Sequence, residues 1–135
     1  ALSAQLADVP GIDLPQITPG CEPSWWFYML RVRPGELGAD AGEFAAALQA
    51  EGLRASAHYI GHCIYEYPIF VDHSAFARGE HAYMRRQYGK GLCPQAEAIL
   101  ETCVMLAINQ AYTETDLAET VYGVRRVAAW FAGRQ

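Results

Sequence analysis

Lysine is nearly missing from this sequence: Lys90 stands alone against nine arginines. With a formal net charge of −5, the chain also lacks the basic surplus that replaces counterions on a duplex, which excludes a nucleic-acid partner. No apolar run approaches the roughly 20 residues needed to cross a bilayer, so no membrane span is expected. The opening residues ALSAQLADVPG have neither a charged n-region nor an apolar h-region and do not read as a secretory signal. Paired cysteines are lacking too. Cys21, Cys63, Cys93 and Cys103 stand singly with no C-x-x-C, which reads as reduced thiols in a cytoplasmic protein. No internal repeat is visible.

What is present is the composition of one globular domain. Of 135 residues, 52% are apolar and 19% charged, enough for a single core and too short for two. Residues 2–7 resemble the last turns of a helix that Pro10-Gly11 stops, and they begin abruptly, as if more chain preceded them. GIDLPQITPG (11–20) is short and extended, kept from a sheet centre by Pro15 and Pro19. WWFYMLRVR (25–33) predicts a strand buried on both faces. Asp40 with Glu43 opens a helix bearing Phe44 and Leu48 on one side, Gly52 ends it, and LRASAHYI (53–60) follows as a strand.

Residues 61–92 show no sustained period and predict an ordered, aromatic-rich loop. Pro94 then suits the first turn of a helix carrying Ala96, Ile99, Leu100 and Cys103 along one side. VMLAI (104–108) is a short buried strand. Thr113 and Asp116 start a last helix in which Leu117, Val121, Val124, Ala128 and Phe131 recur at helical spacing. The fold class is therefore α/β, a small sheet covered by helices in two layers. Three or four strands are too few for a doubly wound nucleotide-binding fold.

The chemistry concentrates in SAHYIGHCIYEYPIF (56–70). His58 and His62 lie four apart, with Cys63 and His73 near, but that spacing aligns ligands only on a helix and here runs from a strand into Gly61. No metal site is expected. A Cys63–His nucleophile pair has no supporting signature. GKG (89–91) lacks the glycine spacing and the Ser/Thr of a phosphate loop and reads as a turn. Arg85 and Arg86 could grasp a phosphate or carboxylate, although adjacent arginines are commonly just solvated. What remains is the pair His58-Tyr59 at a strand exit. On these residues alone it serves equally as a polar ligand contact or as a buried pair satisfying the turn backbone.

The whole chain resembles the C-terminal small domain of the DegT/DnrJ/StrS family, pyridoxal-phosphate (PLP)-dependent aminotransferases acting on nucleotide-linked sugars and cyclitols. LADVPGIDLP is similar to the segment leading from the large domain into the small one. SWWFYMLRV resembles the first small-domain strand, and EFAAALQAEGLRASAHYIGH the helix, glycine stop and strand ending in His-Tyr. CPQAEAILETCVMLAINQAYTETDL resembles the family's Pro-x-Ala-Glu helix, short strand and Thr-x-x-Asp start. The chain departs from the pattern at Met105-Leu106-Ala107, where the family often reads Ser-Leu-Pro, and at Ile60-Gly61, where prolines are common.

The resemblance implies a linking segment over 1–24 and an aminotransferase small domain over 25–135, like that of a fold-type I aminotransferase. It implies His58 and Tyr59 as substrate-binding residues, no catalytic or cofactor-binding residue in this chain, and a homodimer. The cofactor PLP and its lysine would belong to an N-terminal large domain absent here, since Lys90 does not match the family's lysine motif. The fragment alone is then inactive, a substrate-facing wall for a nucleotide-sugar or cyclitol. The alternative is a free-standing small-molecule-binding α/β domain without catalysis. A third possibility is an interaction domain with Trp25-Trp26 and the last helix as a dimer surface.

Overall fold

The structure, a computed structural model, describes residues 1–74 and 86–134. In chain order its elements are α1 (Leu2–Leu6), β1 (Ile12–Asp13), β2 (Phe27–Val32), α2 (Pro34–Leu37), α3 (Ala41–Ala50), β3 (Ala55–Ala57), a 3-10 turn (Ile64–Glu66), α4 (Pro68–Val71), α5 (Pro94–Thr102), β4 (Cys103–Ala107) and α6 (Glu114–Ala132). They fall into two compact units, one of residues 1–59 with residues 102 onward, the other of residues 60–101.

The first unit is built on a four-stranded antiparallel sheet in the order β1-β2-β4-β3. Its register sets Tyr28 opposite Leu106, Leu30 opposite Val104 and Ala55 opposite Leu106. These side chains form the buried face. Phe44, Leu48, Val121, Val124, Ala128 and Phe131 of α3 and α6 close over it in one core. The Phe44 and Phe131 rings meet at 6.3 Å between centroids. Each such aliphatic or aromatic side chain gains about 1.5–3 kcal/mol by leaving water. The two-layer α/β architecture expected from the strand and helix patterns is what forms.

The strand at 25–33 differs from its expectation. Its burial alternates, with Tyr28, Leu30 and Val32 buried and Phe27, Met29 and Arg31 only partly covered. In an antiparallel sheet with helices on one side, the second face stays open, so an apolar residue such as Met29 need not be enclosed. Met105 and Ala107 of β4 share that open face with Phe27 and Met29 by register.

Helix starts follow the sequence closely. Asp40 Oδ1 accepts from the Glu43 N–H while the Glu43 carboxylate accepts from the Asp40 N–H, and Thr113 with Asp116 repeats the arrangement at α6. The Thr113 hydrogen bond holds the Asp116 carboxyl below its ordinary range. Residues of the 1–24 segment take part in this unit: α1 buries Leu2 and Leu6 against α6, and β1 is an edge strand beside β2. Arg125 on α6 bonds the Gln5 carbonyl and the Asp8 carboxylate, which draws the Asp8 pKa down.

Within the ordered loop expected over 61–92, the described residues include two short helical turns, Ile64–Glu66 and Pro68–Val71. Tyr67 and Pro68 set the break between the 3-10 turn and α4. Helix α5 begins at Pro94 as its sequence predicts but buries none of its residues, and Ile99 is exposed. The apolar side read from Ala96 to Cys103 is shortened because Cys103 is the first residue of β4. Arg85 lies outside the described residues. Arg86 sits 6.0 Å over the Tyr88 ring.

Candidate functional site

Strand β3 ends one residue before His58, although its ladder runs on: the His58 N–H donates to the Cys103 carbonyl at 3.1 Å. The chain then turns through left-handed backbone at His58 (φ 60°) and Tyr59 (φ 39°), with Gly61 left-handed as well (φ 75°). Consecutive non-glycine residues in this region cost of order 1–3 kcal/mol each and persist only where the surroundings impose them. This explains why the strand read over 53–60 stops short. The β-branched and aromatic pattern favoured a longer strand, but alternation fails once φ changes sign.

The turn sends the two side chains to different neighbours. His58 is half-buried, with Nε2 beside the first turn of α3; a Cβ built on Gly42 would stand 4.0 Å from it and 3.2 Å from Asp40 Oδ1. The Tyr59 ring instead packs on Phe27 of the open face, centroids 5.0 Å apart and planes tilted by 43°. Tyr59 remains 46% exposed. The pair predicted from sequence is thus adjacent in the chain but presents an imidazole at the α3 start and a phenol over the open face. Cys103, which anchors the turn, is a buried thiol whose pKa burial pushes up, so it is a poor nucleophile.

Beyond the β2 start and the β4 end lies a depression of about 720 Å³, lined by Trp25, Trp26, Phe27, Arg54, Asn109 and Gln110 with Met105, Ala107 and Ile108. The sequence reading singled out the tryptophans but not Arg54, Asn109 or Gln110. The signal was weak, since they come from different connections and only the sheet register brings them to one end.

The second unit holds a different cluster. Tyr65 Oη donates to Glu97 Oε1 at 2.8 Å, and the Gly91 N–H donates to the same oxygen at 2.7 Å. Burial, then the Cys63 thiol and Glu97, push the Tyr65 phenol up, while the Tyr65 hydrogen bond holds Glu97 down. Cys63 is buried, and its N–H donates to Glu66. His62 is exposed and meets Tyr67 edge-on at 6.5 Å. No group of three or more His, Cys, Asp or Glu side chains is placed to hold a metal among the described residues. Lys90, in the Gly89–Gly91 turn, is exposed. No helix among the described residues is long and apolar enough to cross a membrane.

No protein-family model matches the chain, and no curated sequence does. Solved structures do. DesV from S. venezuelae, in complex with a ketimine intermediate, matches 94% of this chain at 23% identity and a TM-score of 0.62. A DegT DnrJ EryC1 StrS aminotransferase from Brucella abortus covers 93% at 19% identity and 0.61. The aminotransferase TlmJ from Streptoalloteichus hindustanus covers 96% at 20% identity and 0.62. The chain spans less than a third of the length of each, 28–29%. In fold it is similar to part of a DegT/DnrJ/EryC1/StrS-type aminotransferase, the family its sequence motifs resemble.

Proposed function

We propose that this chain is the C-terminal small domain of a PLP-dependent aminotransferase acting on a sugar or cyclitol, with 1–24 as the segment leading into it and 25–135 as the domain. Its role is to form a wall facing the amino acceptor, within a cytoplasmic homodimer whose large domain supplies the chemical centre. The observation that carries the reading is the His58-Tyr59 turn. A strained left-handed pair at a strand exit offers a part-exposed imidazole and phenol, on a fold shared with solved aminotransferases. Such backbone strain concentrates at sites that position ligands.

The described residues do not fit PLP itself. A lysine that holds the cofactor must sit in a cavity with groups around the ring. Lys90 is exposed in a glycine turn, with no such group described around it. What the chain's own residues offer is hydrogen bonding: the Tyr59 phenol both donates and accepts, matching a sugar hydroxyl.

The test uses the full-length parent enzyme. Tyr59→Phe is expected to lower kcat/KM for the amino acceptor by roughly 2- to 13-fold, the worth of one hydrogen bond to an uncharged partner, while the amino-donor half-reaction holds. Stopped-flow measurement of the two half-reactions separates them. Equal slowing of both, or a loss of stability alone, would make Tyr59 a packing residue.

A further inference from the structure

We infer that Cys63 and Cys93 form a redox-sensitive modification site, a dithiol that a hydroperoxide converts into a disulfide and a thiol reductant restores. Both residues belong to the second unit, and both are free thiols in this structure. They flank the segment 64–92, so joining them ties its beginning to its end. Disulfides of reducing compartments are usually transient and serve redox sensing. The inference stands independently of the aminotransferase reading.

One hydroxyl brings the two cysteines together. Tyr65 Oη lies 3.3 Å from the Cys93 carbonyl oxygen and 2.8 Å from Glu97 Oε1. The Cys63 thiol adjoins the same phenol and adds to the upward push on its pKa. Each cysteine is also fixed through its own backbone. The Cys63 N–H donates to Glu66 Oε2 at 2.9 Å, and the Cys63 side chain accepts from the Glu66 N–H at the head of the 3-10 turn. The Cys93 carbonyl accepts from the Glu97 N–H at 3.1 Å, in the first turn of α5. Cys63 is buried, yet its surroundings are polar: a phenol, a peptide N–H and, one hydroxyl away, a carboxylate.

Exposure sets the order of events. Cys93 is exposed and Cys63 is buried, so a peroxide reaches Cys93 first. Its thiolate attacks the outer peroxide oxygen and the O–O bond breaks. The departing alkoxide or hydroxide takes up a proton, and Cys93 is left as a sulfenic acid. The Cys63 sulfur then attacks the Cys93 sulfur. The S–S bond forms, the S–O bond breaks, and hydroxide leaves with the Cys63 proton as water. Two thiols and one hydroperoxide thus give one disulfide, one alcohol (or water) and one water. Bonding the sulfurs displaces the Tyr65 hydroxyl that contacts both residues, so oxidation exchanges a hydrogen-bonded link between the two ends for a covalent one.

Peptide mapping of the 135-residue chain after treatment with hydrogen peroxide, under non-reducing conditions, tests this. The folded chain should lose two hydrogens and yield the linkage Cys63–Cys93. That linkage should exceed every other pairing by roughly tenfold or more, because thiols held at one site meet at high effective concentration. Dithiothreitol should reverse it. In urea the same oxidation should scatter over the other cysteine pairs. Cys63→Ser should stop the reaction at a Cys93 sulfenic acid, which dimedone traps. Cys93→Ser should abolish the linkage, and because Cys93 is exposed its circular dichroism should show an unaltered fold. Free thiols persisting at both residues after peroxide overturn the proposal, as does a linkage pattern equal in folded and urea-unfolded chains. Disulfide-linked dimers through Cys21 or Cys93, without the internal bond, overturn it too and make these cysteines ordinary surface thiols.

Discussion

Tyr59 and Phe27 pack ring on ring, 5.0 Å apart, joining a left-handed turn to the second residue line of the sheet's open face. Phe27 is opposite Ala107 in the ladder and points away from the helices. The contact therefore explains how two non-glycine residues remain left-handed in succession: the aromatic pair offsets part of the backbone cost. An aromatic pair contributes about 0.5–1.5 kcal/mol beyond its buried area. Tyr59→Phe should leave the stability of the chain unchanged, and Tyr59→Ala should lower it by that amount plus the lost burial. Urea unfolding of the two variants checks this. A Tyr59→Phe variant as unstable as Tyr59→Ala would show that the hydroxyl, and not the ring pair, holds the turn.

Much of the first unit was legible before its coordinates. Asp40, Thr113 and Gly52 mark helix ends through local hydrogen-bond chemistry, and Val121 to Phe131 give a helical stripe that the core uses. What escaped depends on contacts distant in sequence. Whether Met29 is covered depends on the layer above it, which no local pattern encodes. Strand β3 ends before its sequence pattern does because His58 and Tyr59 look like strand residues and become left-handed only where the chain turns back toward Phe27. Of the candidate site, the His58-Tyr59 position was readable as a motif. The meeting of Arg54, Asn109 and Trp26 was not, since they come together through the register of β4 between its neighbours.

Gly11 is a position where only glycine fits. Its φ is 75°, its carbonyl accepts from the Arg33 N–H at 2.8 Å, and a Cβ there would come within 2.7 Å of the Leu37 backbone nitrogen. Both the left-handed backbone and the close approach penalise a side chain, and the obstacle is backbone that cannot rotate aside. Gly11→Ala should destabilise the chain by about 1–3 kcal/mol or more. Thermal unfolding measures it. A variant within 0.5 kcal/mol, the ordinary scatter of about that size at surface positions, would mean that β1 and α2 can separate without penalty.

The cap of α6 gives a milder prediction. Thr113 Oγ1 accepts from the Asp116 N–H, while Asp116 reaches back to the Thr113 N–H at 2.7 Å. Because α6 carries Val124, Val127 and Phe131 into the core, fraying at its start loosens the whole unit. Thr113→Ala should cost about 0.5–2 kcal/mol, and Thr113→Ser should recover most of it by restoring the acceptor. Equal stability of the Ala and Ser variants would remove the cap from the account.

The second unit should carry a pH dependence set by one clasp. Glu97 Oε1 accepts from Tyr65 Oη and from the Gly91 N–H, tying the 3-10 turn and the glycine turn to α5. The Tyr65 hydrogen bond, with smaller help from Gly91, Cys93 and the charge of Lys90, holds the Glu97 carboxyl below its ordinary range against the opposing effect of burial. A folded pKa depressed in this way contributes stability that is fully present above the unfolded value, about 4.3 for glutamate, and is lost as pH falls through the folded value. Tyr65 has the opposite sign. Burial raises its phenol, with Cys63 and Glu97 adding to it, so its contribution is present below the unfolded value of about 10 and is lost as pH rises through the folded one. The clasp is therefore complete between about pH 5 and pH 10, and acid opens it through Glu97. The Gly91 amide proton reports this directly by NMR, since its shift should follow the Glu97 titration to a midpoint below the ordinary glutamate value. Tyr65→Phe removes the larger of the two bonds and should move that midpoint upward. Glu97→Gln should abolish the titration and speed hydrogen exchange at Gly91 at neutral pH. A midpoint unmoved by Tyr65→Phe would mean that the phenol does not bind the carboxylate in solution, and the clasp would reduce to the Gly91 bond alone.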